Sequence, residues 1–132
     1  MPFGTATVVT NAGKAIISKR MYGATPTQTE PKYVAMGTGA TGAGRTAAAA
    51  DTALSTEVET RTSGTSSSVT TTVTNDTHQV TGTVQATAPR SVDEAGLFDA
   101  SSSGNLYVSA TFGVITLAAL DSIAFTWQVK FS

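Results

Sequence analysis

The sequence has no cysteine. A disulfide framework, a thiol nucleophile and a cysteine-based zinc site are therefore excluded. Its one histidine, His78, cannot build a multi-histidine metal site. Charge is scarce: Asp, Glu, Lys and Arg make up 13% of residues, about half the usual share of roughly 25%. Eight basic and nine acidic residues leave a formal net charge of -1. That balance lacks the basic surplus that nucleic acid demands. No apolar run approaches the ~20 residues of a membrane-spanning helix. The N-terminal stretch MPFGTATVVT has neither the charged nor the apolar region of a signal peptide, so export by the general secretory route is not expected.

What is present is small, branched and hydroxylated. Threonine, alanine and serine fill 58 of the 132 positions. The length suits one domain with one core. A hydrophobic content of 40% with almost no net charge argues against a disordered chain.

The first ten residues hold a short β-prone segment, Thr5 to Val9. Thr10 or Asn11 is placed to cap a helix over about 11–22, with Ala12, Ile16 and Met21 or Tyr22 along one side and Gly23 as the stop. Lys19 and Arg20 fall in its last turn, where cations suit the helix dipole. A proline-punctuated loop with Pro26 and Pro31 leads to a strand at Lys32 to Met36. The Gly/Ala/Ser/Thr-rich region of about 38–68 reads as flexible, with a helical turn near Asp51 that points Leu54 and Val58 inward. Residues 24–31 share that flexible composition.

Beyond Thr60 the period becomes two. Val69, Thr71 and Val73 alternate up to the Asn75-Asp76 turn, and Val80, Gly82, Val84, Ala86 and Ala88 alternate on the return, which predicts a hairpin ending at Pro89. Val92 to Phe98 and Leu106 to Phe112 follow, joined by the turn Asp99 to Asn105. In the last strand Ile123, Phe125, Trp127, Val129 and Phe131 share one face, so that strand should be central or core-facing. Strands at these spacings predict a mainly β fold: an antiparallel β-sandwich or jelly-roll-like domain over 1–132 with one short N-terminal helix.

Candidate chemistry is sparse. Gly37-Thr-Gly39-Ala-Thr-Gly42 matches G-x-G-x-x-G, with Glu57 and Glu59 at about the spacing of a ribose-binding acid. The antiparallel pattern that follows favours a glycine-rich turn. Asp93 and Glu94 are adjacent and on a regular strand would point to opposite faces. One is expected to be solvated and the other to meet a backbone group or Arg90. Glu57, Glu59 and Arg61 share a face and predict a surface ion-pair ladder. His78 beside a hairpin turn is expected to be exposed, with no serine and acid to complete a triad. No cofactor site emerges, and the chain is not expected to be an enzyme. Sugar binding would want exposed aromatics beside carboxylates, and of Tyr22, Tyr33, Tyr107 and Trp127 at least Tyr33 and Trp127 look buried.

Several motifs stand together in one order. Val9-Thr-Asn-Ala-Gly-Lys-Ala-Ile-Ile precedes Tyr33-Val-Ala-Met-Gly-Thr-Gly. Glu94-Ala-Gly-Leu-Phe-Asp-Ala, Gly104-Asn-Leu-Tyr-Val and Asp121-Ser-Ile-Ala-Phe-Thr-Trp-Gln-Val-Lys-Phe follow. This order resembles small virion structural proteins of tailed bacteriophages. It is similar to the N-terminal attachment domain of tail-collar fibres and to free-standing head decoration proteins. In the Glu94 motif, Ala95 and Leu97 should face one way and Glu94, Gly96 and Phe98 the other, with Gly96 allowing a close approach.

The resemblance implies a capsid cement protein that stabilises the head shell, or alternatively a tail or baseplate adaptor or short tail-fibre attachment protein. It implies a virion location with assembly in the bacterial cytoplasm. Its partners would be itself, as a homotrimer, and the major capsid protein or tail and baseplate proteins, with no nucleic acid or membrane. Exposed position and the scarcity of other charge nominate Met1, Pro2, Phe3, Arg45 and Arg61 as partner-contact residues.

Overall fold

The computed structural model describes residues 6–23 and 29–131. Its elements are β1 (Ala6–Val9), α1 (Asn11–Met21), β2 (Tyr33–Thr38), β3 (Thr56–Ser63), β4 (Thr65–Val69), β5 (Thr77–Gln85), β6 (Arg90–Phe98), β7 (Leu106–Leu117) and β8 (Ser122–Lys130). The strands form two antiparallel sheets, β1-β7-β6-β2-β3 and β4-β5-β8. This is the mainly β sandwich with one short helix that the alternation predicts.

Each element has a local cause. Thr10 is the helix cap: its backbone is extended and its hydroxyl accepts from Gly13 N–H at 3.0 Å. The same hydroxyl donates to the Leu106 carbonyl, and Thr10 N–H reaches the Tyr107 carbonyl at 3.0 Å, so the cap also ties α1 to β7. Gly23 follows the helix with φ 83°, as a stop requires. Only Gly13 and Ile16 of α1 are fully buried, and Met21 and Tyr22 are exposed. A Cβ on Gly13 would collide with the Tyr107 carbonyl oxygen. Gly13→Ala is therefore expected to destabilise the fold by ~1–3 kcal/mol through overpacking, although alanine improves helix propensity by about 1 kcal/mol. Thermal melting of the variant checks the sign.

One core lies between the sheets. Val34, Met36, Val92, Ala95, Leu97, Val108 and Ala110 of the large sheet meet Val80, Val84 and Trp127 of the small one. On the outer face of the large sheet a second cluster of Ala35, Leu54, Phe98 and Leu106 is roofed by the chain between β2 and β3. Glu94, Gly96 and Phe98 share that outer face as expected. A Cβ on Gly96 would come within 2.8 Å of Leu106 and 3.2 Å of Leu54.

Four expectations are corrected here. Residues 38–68 hold β3 and β4, which cross from one sheet to the other at Gly64. There is no helical turn at Asp51; a hydrogen-bonded turn from Ala48 to Asp51 precedes buried Leu54 and half-buried Val58. The outgoing arm of the hairpin ends at Val69, because the Asp76 carboxylate accepts from Thr71, Thr72 and Val73 N–H and curls 71–75 into a loop. Val73 is consequently exposed. Finally, β8 faces the core as expected, as an edge strand that pairs with β5 alone among the described residues, but Phe131 does not share the burial of its inward face. Phe131, just beyond it, is 51% exposed.

Candidate functional site

The loop after β2 contains the G-x-G-x-x-G match. Gly39 takes φ 86°, and 40–44 form a turn with no helix after it. The Asp93 carboxylate accepts from Ala40 N–H at 3.1 Å and Thr41 N–H at 2.8 Å. Those are the amides a phosphate would need, and this chain's own acid holds them. The glycine-rich turn is structural.

Asp93 and Glu94 depart from the opposite-face expectation. The β6–β7 register shifts between Val92 and Glu94, and both carboxylates reach the 39–56 loop. Both are buried, and neither meets Arg90. Glu94 accepts from Thr56 N–H at 3.0 Å and from Arg45 Nη1 at 2.6 Å. Arg45 Nη2 also donates to Asp51 at 2.7 Å and to Ser109 Oγ at 2.9 Å. Arg45 is thus a pin between the loop and the outer face of the large sheet, not the exposed loop cation the sequence suggests.

Arg61 is likewise engaged within the chain. It grips Glu57 with two nitrogens at 2.7 and 2.9 Å and donates to the Ala100 and Ser103 carbonyls. Its guanidinium lies 3.5 Å from the Phe98 ring centroid. Glu59 leaves the expected ladder because its backbone turns to φ 66° beside a register shift in β2–β3. It pairs with Arg90 at 2.7 Å instead. That hydrogen bond, more than any other contact, holds its carboxyl below the usual range. Met1, Pro2 and Phe3 lie outside the described residues.

His78 is half-buried rather than exposed. Its Nε2 is 2.9 Å from Ser66 Oγ, and its ring packs edge-on to Tyr107 at 5.9 Å. A small pocket of about 400 Å³ between α1 and these residues also includes Glu30, Pro31 and Phe131. Burial lowers the His78 pKa, and the Glu30 charge opposes this. The folded state thus binds a proton at this site less readily than the unfolded chain does. Stability is expected to be full above about pH 6.5 and to fall as pH drops below it towards the lowered value. Melting curves between pH 7.5 and 5.5 should show this loss, and His78→Gln should flatten it.

A wider recess lies at the β1-β7 and β8 ends of the two sheets, opposite the Gly64 crossing between β3 and β4. There β1 covers β7 only over Val108–Thr111. From Phe112 onward β7 has no second neighbour among the described residues, and β8 is likewise open along its outer side. Between these two edges runs an open groove of about 650 Å³. Phe112, Val114, Ile115, Ile123, Phe125 and Trp127 supply its apolar lining, and no charged residue contributes. Phe125 and Trp127 stack with centroids 6.1 Å apart. The Trp127 indole N–H is buried and has no acceptor among the described residues. Val114 and Ile115 are about half exposed on the rim.

No known protein family, curated protein or solved structure matches this chain.

Function is therefore argued from geometry and from the short motifs. Among the described residues no group of three or more acidic or imidazole side chains is placed to hold a metal ion. No helix among them is long and apolar enough to cross a membrane. The arrangement that stands out chemically is the uncharged groove flanked by two open strand edges. Such edges offer unpaired main-chain donors and acceptors, and the groove offers apolar area, which is the chemistry of strand addition. Sequence alternation identifies its lining on the last strand. It could not show that the described part of β1 pairs with β7 only as far as Thr111.

Proposed function

We propose that this protein is a structural component of a tailed-bacteriophage particle, most simply a capsid cement protein that adds contacts between shell subunits. The observation that carries the reading is the open apolar groove between the distal half of β7 and the edge strand β8. A soluble monomer gains nothing from such a surface, and a lattice multiplies each modest contact across many copies. The low charge fits close packing of identical copies, because repulsion between neighbours stays small. The order of motifs from Val9 to Phe131 supports the phage assignment.

The same motifs favour a second reading, a tail or baseplate adaptor or fibre-attachment module. Copy number separates the two. Quantitative mass spectrometry of purified particles, scaled to the major capsid protein, is expected to give a ratio of the same order as that protein. A ratio matching the few-fold symmetry of a tail would move the protein there. Absence from particles would overturn both.

A further inference from the structure

The open edge of β8 is complementary to itself. The β5–β8 ladder runs without a register shift from Thr77↔Lys130 to Gln85↔Ser122. At one end of β8 the Asp121 carbonyl accepts from Ala86 N–H, and at the other Phe131 N–H donates to the Asp76 carbonyl. Odd-numbered residues of β8 thus direct their main-chain groups towards β5. By alternation Ser122, Ala124, Thr126, Gln128 and Lys130 direct theirs to the free side. Their side chains are exposed, and those of Ile123, Phe125, Trp127 and Val129 point inward.

We propose that two copies of this chain pair antiparallel through β8, about a two-fold axis at Thr126, and join their small sheets into one of six strands. In this register each residue lies opposite the one whose number completes the pair about 126. Ile123 meets Val129 of the second copy, and Phe125 meets its Trp127. Ala124 meets Gln128, and Ser122 meets Lys130. Every inward pair is apolar, every outward pair is polar or small, and the two lysines never face one another. A slip to either side leaves terminal residues unpaired, so this is the register that uses all nine.

Two features favour a second copy. The nine-residue edge carries no proline, no bulge and no inward charge, the usual devices against edge pairing. The groove beside it has no charged residue in its lining, so two copies meet there without repulsion. The interface is isologous, because the same strand serves on both copies. It stands apart from the head-or-tail question, and its test needs no phage particle.

The absence of native cysteine makes the contact readable by disulfide formation. Thr126→Cys places each thiol opposite itself, with Cα atoms about 5.5 Å apart, inside the disulfide range of about 4.4–6.8 Å. Ala124→Cys places the two copies of residue 124 four residues apart along the strands, about 14 Å. Under mild oxidation Thr126→Cys is expected to convert mostly to a covalent dimer, and Ala124→Cys to remain monomeric alone but to link to Gln128→Cys when the two are mixed. These side chains are exposed, so the variants should melt as the parent does. Thr126→Lys, which sets two ammonium groups face to face, should shift the sedimentation coefficient to that of a monomer. A failure of Thr126→Cys to self-link would overturn the proposal, including the case where a strand from another protein fills the groove. Self-linking of Ala124→Cys as readily as Thr126→Cys would overturn the register.

Discussion

Arg45→Ala is expected to cost about 3–5 kcal/mol in unfolding free energy, the loss that follows when one partner of a buried ion pair is removed. The Glu94 side chain is fully buried, and its Oε2 is 2.6 Å from Arg45 Nη1. Without the guanidinium, that carboxylate keeps only the Thr56 amide. Asp51 and Ser109 lose the same donor, so the loop between β2 and β3 is released from the sheet at Glu94 and Ser109 and loses its internal tie to Asp51. Arg45→Lys retains the charge but has no planar fork to reach all three acceptors, and an intermediate loss is expected. Urea denaturation gives both values. If Arg45→Ala stays within about 1 kcal/mol of the parent, the loop is held by Asp93 and Leu54 and the pin is incidental.

Trp127→Ala is expected to cost ~3–5 kcal/mol, the range for removing a large aromatic from a core. Trp127 is 7% exposed and belongs to the core cluster that also holds Ala95 and Ala110 of the large sheet. Trp127→Phe keeps most of that area and removes the indole N–H that finds no acceptor, so it should lose much less. Phe131→Ala, at a half-exposed position, should change the melting temperature least of the three. Equal losses for Trp127→Ala and Phe131→Ala would contradict the placement of the core at Trp127.

Stability and association are separable in these tests. Arg45 acts within one copy, whereas Thr126 and Ala124 present exposed side chains at an open edge. A variant that melts normally but no longer self-links reports the surface. A variant that melts early reports the interior.

The sequence by itself determined the mainly β class, the helix with its threonine cap, the β6–β7 turn and the inward residues of the last strand. Each of these follows from local rules: alternation of period two, a capping hydroxyl, and glycine or a small polar residue at a positive φ. In the turn from Asp99 to Asn105, Ser103 and Gly104 take φ values of 53° and 73°, and Asp99 accepts from the Asn105 amide, all within seven residues. The tertiary structure alone decided where long-range partners lie. Arg45 and Glu94 are 49 residues apart, and no local pattern links them. A register shift in β6 sends Asp93 and Glu94 to the same loop, and strict alternation cannot anticipate an irregularity that the neighbouring strand imposes. The Gly/Ala/Ser/Thr-rich stretch reads as loose because its side chains are small and polar. Its order comes from main-chain hydrogen bonds and from groups such as Asp93 that are distant in sequence. The groove has the same origin. Alternation names Phe125 and Trp127 as inward, but only the sheet order places β8 at an edge, with β5 its one partner among the described residues.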